Sequence, residues 1–187
     1  MATSFFVKGQ TTSFFVEQQN YFNKKSVSPS AFIWADKSYK DNGGVFVFAL
    51  ANQNWGEILI GPKYTIKSKK NQNRFLEIGA GLGIETDKKP LRGTAYYFFN
   101  TSPTKERKGT IQSLGFVEYG GSGYWYLWFG TYNISNSVAI GIHAQSFNGV
   151  LGPRLQFQKG SFMAYVVGGK NLELKECGGV AGLRYYF

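Results

Sequence analysis

Residues 75–85 constrain the backbone of this chain more tightly than any other stretch. Leu76, Ile78, Ala80, Leu82 and Ile84 alternate with Phe75, Glu77, Gly79, Gly81, Gly83 and Glu85. Successive side chains of a strand point to opposite faces, so one face here is apolar and the other mostly polar or small. The same period of two runs through residues 57–67, where Ile58, Ile60, Pro62, Tyr64 and Ile66 oppose Glu57, Leu59, Gly61, Lys63, Thr65 and Lys67. It returns in residues 138–145 and 151–158. No helical period of 3.6 competes in these segments. Residues 45–51, 124–131 and 162–167 are apolar on both faces, which suits side chains packed inside a sheet enclosure or interfacial aromatics.

Polar stretches rich in Lys, Asn, Gly or Pro separate these runs, at 23–30, 40–44, 68–73, 86–90, 101–109, 120–123, 133–137 and 147–149. They read as turns and loops. The count is about twelve strands, and the long first segment and the two-sided apolar runs allow ten. No linker or low-complexity tail divides the 187 residues, so one β domain over 1–187 is expected. No run of 18 apolar residues is present, which excludes a membrane-spanning helix. The mean hydropathy of −0.24 suits a soluble protein, but a membrane barrel has the same average because half of every strand faces its lumen. Aromatic residues make up 18% of the chain, and that share favours the barrel.

The chain ends Val180-Ala181-Gly182-Leu183-Arg184-Tyr185-Tyr186-Phe187. Ala181, Leu183, Tyr185 and Phe187 share one face. This resembles the final strand of bacterial outer-membrane β-barrel proteins, in which a terminal aromatic preceded by alternating apolar residues is read by the barrel-assembly machinery. The resemblance implies an all-β, closed antiparallel transmembrane barrel with short turns, located in the bacterial outer membrane. It also implies a mature form, freed of its signal peptide and carrying an added initiator Met. Closure agrees with physics, since every backbone N–H and C=O in lipid needs a partner. The apolar faces carry no charge, and an Arg or Lys there costs roughly 2–4 kcal/mol at the bilayer midplane. Tyr64, Trp125, Trp128, Tyr132, Tyr185 and Phe187 are candidates for interfacial girdles. Outer-membrane lipids and lipopolysaccharide are the expected surroundings.

Alternation turns a set of charged and polar residues toward the lumen. Lys63, Lys67, Glu77, Glu85, Arg92, Glu118, His143, Arg154 and Arg184 are the expected pore lining, with Glu57 beside them. Opposed charges either pair across the interior and plug it or line a narrow channel. Gly79, Gly81, Gly83, Gly141, Gly152 and Gly182 leave room on the inner face, which favours water-filled space. The expected function is a narrow passive channel for small polar or anionic solutes. The alternatives are an outer-membrane lipid-modifying enzyme, a plugged structural barrel, or a soluble ligand-binding barrel with its faces reversed.

Catalytic signals are weak. His143 is the only histidine, and regular alternation places Ser146, three residues on, across the sheet from it. Gln145 shares the face of His143 but is no nucleophile. Glu77 and Glu85 lie eight residues apart on one strand, too far to act together. Residues 79–83 are Gly-rich but sit inside a strand pattern with no helix after them, so no phosphate loop is read. The lone Cys177 excludes an intramolecular disulfide, and no metal or cofactor is expected. The formal charge is +10, much of it in turns at Lys24, Lys25, Lys69, Lys70, Lys88, Lys89, Lys105, Arg107 and Lys108. Those on an outer rim could meet lipopolysaccharide phosphates. No reading element for nucleic acid accompanies them.

Overall fold

Period-two patterning has one stable outcome when both ends of the sheet can meet. In the computed structural model, which describes residues 11–187 except 25, 40–41, 72, 88, 103–106, 147–148 and 172–174, it forms a closed barrel. The strands are β1 Thr11–Phe22, β2 Val27–Ser38, β3 Gly43–Asn52, β4 Gly56–Lys67, β5 Arg74–Glu85 and β6 Leu91–Thr101. They continue as β7 Ile111–Gly120, β8 Gly123–Asn133, β9 Val138–Gln145, β10 Gly152–Lys159, β11 Phe162–Lys170 and β12 Cys177–Tyr186. Each strand pairs antiparallel with its sequence neighbours. β1 and β12 close the ring through Val16↔Tyr185 and Tyr21↔Val180. No edge is left, as a lipid environment requires. Among the described residues no helix is long and apolar enough to cross a membrane.

The strand count is twelve, as the alternation predicts. Some expected turns are shorter than their polar composition suggests. Residues 27–30 begin β2, residues 43–44 begin β3 and Thr101 ends β6. The tightest connections, after β7 and β10, use Gly123 (φ 102°) and Gly160 (φ 60°), conformations that favour glycine. Residues 25, 88, 105 and 147–148, where the sequence places turns, lie outside the described residues. An even strand number puts both chain ends at one mouth, here named the terminus end. The turns after β2, β4, β6, β8 and β10 lie there, and the others lie at the distal end.

The outer wall is a belt of exposed apolar side chains, including Ile60 (60% exposed), Leu82 (73%), Ile142 and Val166. The charged partners of the same strands are buried. This is the inverse of a soluble barrel, and an apolar belt of this extent is a membrane-facing surface. Tyr64, Tyr132, Tyr185 and Phe187 are exposed toward the terminus end, and Tyr119 and Tyr124 toward the distal end. They form the two girdles. Trp128 also faces outward; it donates to Tyr97 Oη (2.8 Å), which contacts Ser113 Oγ (3.1 Å), so these lipid-side polar groups satisfy one another. Trp125 does not join a girdle. Its register partner is Glu118, which faces the lumen, and Trp125 is accordingly buried at 6% exposure.

The strands with apolar residues on both faces fill the interior. Phe46, Phe48 and Leu50 of β3 meet Phe32, Leu59, Tyr96, Phe116, Trp125 and Leu127 in one cluster on the β2–β8 side. Trp34 stacks on Phe46 and meets Tyr96 edge-on at 5.0 Å. A smaller cluster around Met163, Val167 and Val180 lies on the β11–β12 side. The inward glycines therefore do not leave water-filled space. A Cβ on Gly79 would fall 2.3 Å from the Tyr96 ring, one on Gly81 2.9 Å from the Phe46 ring, and one on Gly182 2.2 Å from the Tyr165 ring. At Gly83, Gly141 and Gly152 the neighbouring backbone comes within 1.9–2.2 Å of the same point. Glycine there admits rings and close strand approach, not solvent.

Candidate functional site: the lumen

Three polar groupings hold the lumen around the aromatic cluster. At the distal end Arg92, second residue of β6, lies opposite Gly83 and Gly120, which leave space for its stem. Its Nε stands 2.7 Å from both Glu57 Oε2 and Glu118 Oε2. Its Nη1 donates to Glu85 Oε2 (3.1 Å) and Ser122 Oγ (2.9 Å). Trp55 packs on the guanidinium at 5.3 Å and donates to Glu85. Glu57 and Glu85 are direct cross-strand partners, an arrangement that repels unless a cation sits between them. Only Glu118 meets Nε with hydrogen-bond geometry, and neither oxygen of Glu57 accepts a hydrogen bond. One buried cation thus serves three carboxylates.

Toward the terminus end Lys63 pairs with Asp36 and with Glu77 (3.0 Å). Tyr96 Oη (3.0 Å) and Thr65 Oγ1 (3.1 Å) donate to the same Glu77 carboxylate, and Trp34 Nε1 donates to Asp36. These groups cap the aromatic cluster from below, as the Arg92 group does from above.

The third grouping is a continuous polar file along β1 and β9–β12. Arg154 donates to His143 Nδ1 (3.2 Å), which places the ring proton on Nε2, facing Gln145 Oε1 at 3.1 Å. Gln145 donates to Tyr21 Oη, Tyr21 to Gln19 and Gln19 to Glu17, each at 2.6 Å. Tyr165 (2.7 Å) and Arg184 donate to Glu17 as well. All these bonds run toward Glu17, and such chains strengthen cooperatively. Arg154 has no carboxylate at ion-pair distance among the described residues. It lies instead between the rings of Tyr165 (3.6 Å) and Phe129 (4.5 Å), a cation–π arrangement favoured where water is excluded.

The structure brings eight of the nine expected lining residues onto the inner wall and distributes them among these groups. Lys67 is the exception: it ends β4 and is exposed at the terminus mouth. Glu17, Asp36, Gln19, Tyr21 and Tyr165 are lumen residues that alternation in the clean segments did not reach. They bring the inward-facing balance to six carboxylates (Glu17, Asp36, Glu57, Glu77, Glu85, Glu118) against Lys63, Arg92, Arg154 and Arg184. Beneath the distal mouth a cavity of about 220 Å³ is bounded by Tyr21, Asn52, Trp55, Arg92, Ser122 and Trp125 among others.

His143 has Gln145 and Arg154 as ring partners, whereas Ser146 is engaged with the Tyr126 backbone (2.9 Å). His143 and Ser146 therefore do not pair. Among the described residues no three His, Cys, Asp or Glu side chains gather so as to hold a metal ion. Cys177 is free and exposed at the start of β12.

The barrel has the architecture of the porins. It is similar to a KdgM porin solved in complex with disordered oligogalacturonate (TM-score 0.60, 12% identity), covering 92% of this chain and 99% of that one. It is also similar to the NanC porin (TM-score 0.51, 11% identity), covering 92% of this chain and 98% of that one. Likeness at this identity establishes a shared fold. No family model and no curated protein sequence matches the chain.

Proposed function

We propose that this chain is a bacterial outer-membrane barrel acting as a narrow passive channel for small polar solutes, with a preference for anions. The path runs along the polar file on β1 and β9–β12. One observation carries this: the lumen is two-sided. Away from the distal cavity, the β2–β8 side is close-packed aromatic and aliphatic surface, which water does not enter. The file consists of hydrogen-bond donors and acceptors, the groups that water or a polar solute needs as partners along a path. Along that path Arg154 and Arg184 outnumber Glu17, and Arg154 has no carboxylate of its own to cancel its field. His143, Arg154 and Arg184 line the path, Lys63, Glu77, Glu85, Arg92 and Glu118 staple the opposite wall, and Lys67 stands at the terminus mouth on that opposite wall. The porin architecture of KdgM and NanC supports the channel reading over an enzymatic one. Ala181, Leu183, Tyr185 and Phe187 face outward on the last strand, as an assembly signal read from the lipid side requires. The aromatic girdles would hold the barrel among outer-membrane lipids, lipopolysaccharide included.

Conductance of the refolded protein in a planar bilayer under a salt gradient tests the proposal. Small ohmic steps with an anion-selective reversal potential are expected. Arg154→Gln should move that potential toward cations, because the file then holds one cation against one carboxylate. Absence of any step from a folded, inserted barrel would overturn the channel and leave a plugged structural barrel. A second expectation concerns assembly. Deleting Phe187 should lower the yield of heat-modifiable barrel in the outer membrane while leaving detergent refolding intact.

A further inference from the structure

Among the described residues exposed charge is divided unevenly between the two mouths. At the terminus end Lys37, Lys69, Lys70, Arg74 and Lys108 are all exposed, on or beside the three consecutive turns after β2, β4 and β6. The nearest acids among the described residues, Asp36 and Glu77, are drawn inward onto Lys63; Asp41 and Glu106 lie outside the described residues. Among the described residues no acidic side chain is exposed on this rim. The distal rim is mixed, with Lys24, Lys89, Lys170 and Lys175 beside Asp87 and Glu176. Turn composition alone did not separate the two rims.

The basic arc stands on the outer wall. Alternation turns Lys37 and Arg74 outward, since Asp36 and Glu77 face the lumen. Immediately inside the rim are the lipid-facing Tyr64, Ile66, Ile78, Phe99 and Ile111. Cations at the edge of an apolar belt sit at headgroup level, with their stems along the hydrocarbon boundary. Lys69, Lys70 and Arg74 share the turn between β4 and β5, and neighbouring strands lie about 4.8 Å apart, less than the screening length of about 8 Å at physiological salt, so their fields add; Lys37 and Lys108 extend the arc by about two strands on either side. A soluble polyanion would find these charges splayed around the wall; lipid phosphates meet them in register with the membrane surface.

We propose that this arc is a binding surface for anionic phospholipid headgroups of the leaflet at the terminus end. The inference rests on the membrane-spanning reading. A barrel with an even strand number, inserted from the inner side, leaves both termini there. The arc then faces the phospholipid leaflet, away from lipopolysaccharide, where a basic rim was expected to find phosphates.

The test places a tryptophan reporter under the arc, Phe99→Trp, and refolds the protein into vesicles of phosphatidylglycerol and phosphatidylcholine in equal parts, with bromine on the chains of one lipid or the other. Quenching of the added fluorescence, taken as the difference from the protein that keeps Phe99, reports which lipid is adjacent. At low salt, brominated phosphatidylglycerol should quench about twofold more than brominated phosphatidylcholine, and high salt should remove the difference. The triple variant Lys69→Glu, Lys70→Glu, Arg74→Glu should lose the preference, and the distal control Lys170→Glu, Lys175→Glu should keep it. Equal quenching in both mixtures would overturn the arc as a lipid site. Equal loss in arc and control variants would also overturn it, by assigning the effect to net charge. No quenching in either mixture would instead overturn the membrane reading itself.

Discussion

Arg92→Met is expected to destabilise the barrel by about 3–5 kcal/mol, the usual cost of removing one partner from a buried ionic group. The reason is the imbalance around it. Glu57, Glu85 and Glu118 come from three different strands and converge on one guanidinium. Without it, Glu57 and Glu85 face each other directly across the β4–β5 ladder. Glu57→Gln should act in the opposite direction. Glu57 shares Nε with Glu118, and its oxygens accept no hydrogen bond, so neutralising it relieves repulsion while Glu85 and Glu118 keep Arg92 in place. Urea unfolding of the two variants in lipid vesicles checks both. A midpoint for Arg92→Met close to the parent's would show that Arg92 does not hold the cluster.

The sign of that pair of effects could not be read from the sequence. Alternation places Arg92 and the three glutamates on the inner face, but it cannot say which of them meet. That depends on register across four strands, and register comes from the closed ring as a whole. The same limit explains Trp125. Tyr124, Trp125 and Tyr126 are consecutive aromatics, so neither face of β8 is marked by composition. Only the pairing Glu118↔Trp125 turns the indole inward. In β4 and β9, and in residues 75–85 of β5 and 152–158 of β10, one face is free of charge, and both the strand and its orientation were legible. In β1 the inward Glu17, Gln19 and Tyr21 are interleaved with the outward polar residues Gln18 and Asn20. That weak contrast hid three members of the polar file. The glycines misled for a different reason. A missing side chain marks space, but what fills the space is set by the strand opposite, and at Gly79 and Gly182 that is a tyrosine.

Those tyrosines supply the sharpest contrast between the two sides of the lumen. Tyr165→Ala should increase single-channel conductance. The ring covers Gly182, stacks on Arg154 at 3.6 Å and donates to Glu17. Its loss opens a gap lined by charged and amide groups, and a polar gap of that size admits water. Phe116→Ala removes a ring of similar size from the other side, where its neighbours are Trp34, Phe48, Tyr96 and Trp125. An apolar gap among such residues stays dry, so this variant should lose about 3–5 kcal/mol of stability with little change in conductance. Stability and conductance are thereby separated by position and not by the size of the deletion. If Phe116→Ala were the variant that conducts, the permeation path would run through the aromatic side, and the polar file would be the wall that holds the barrel closed.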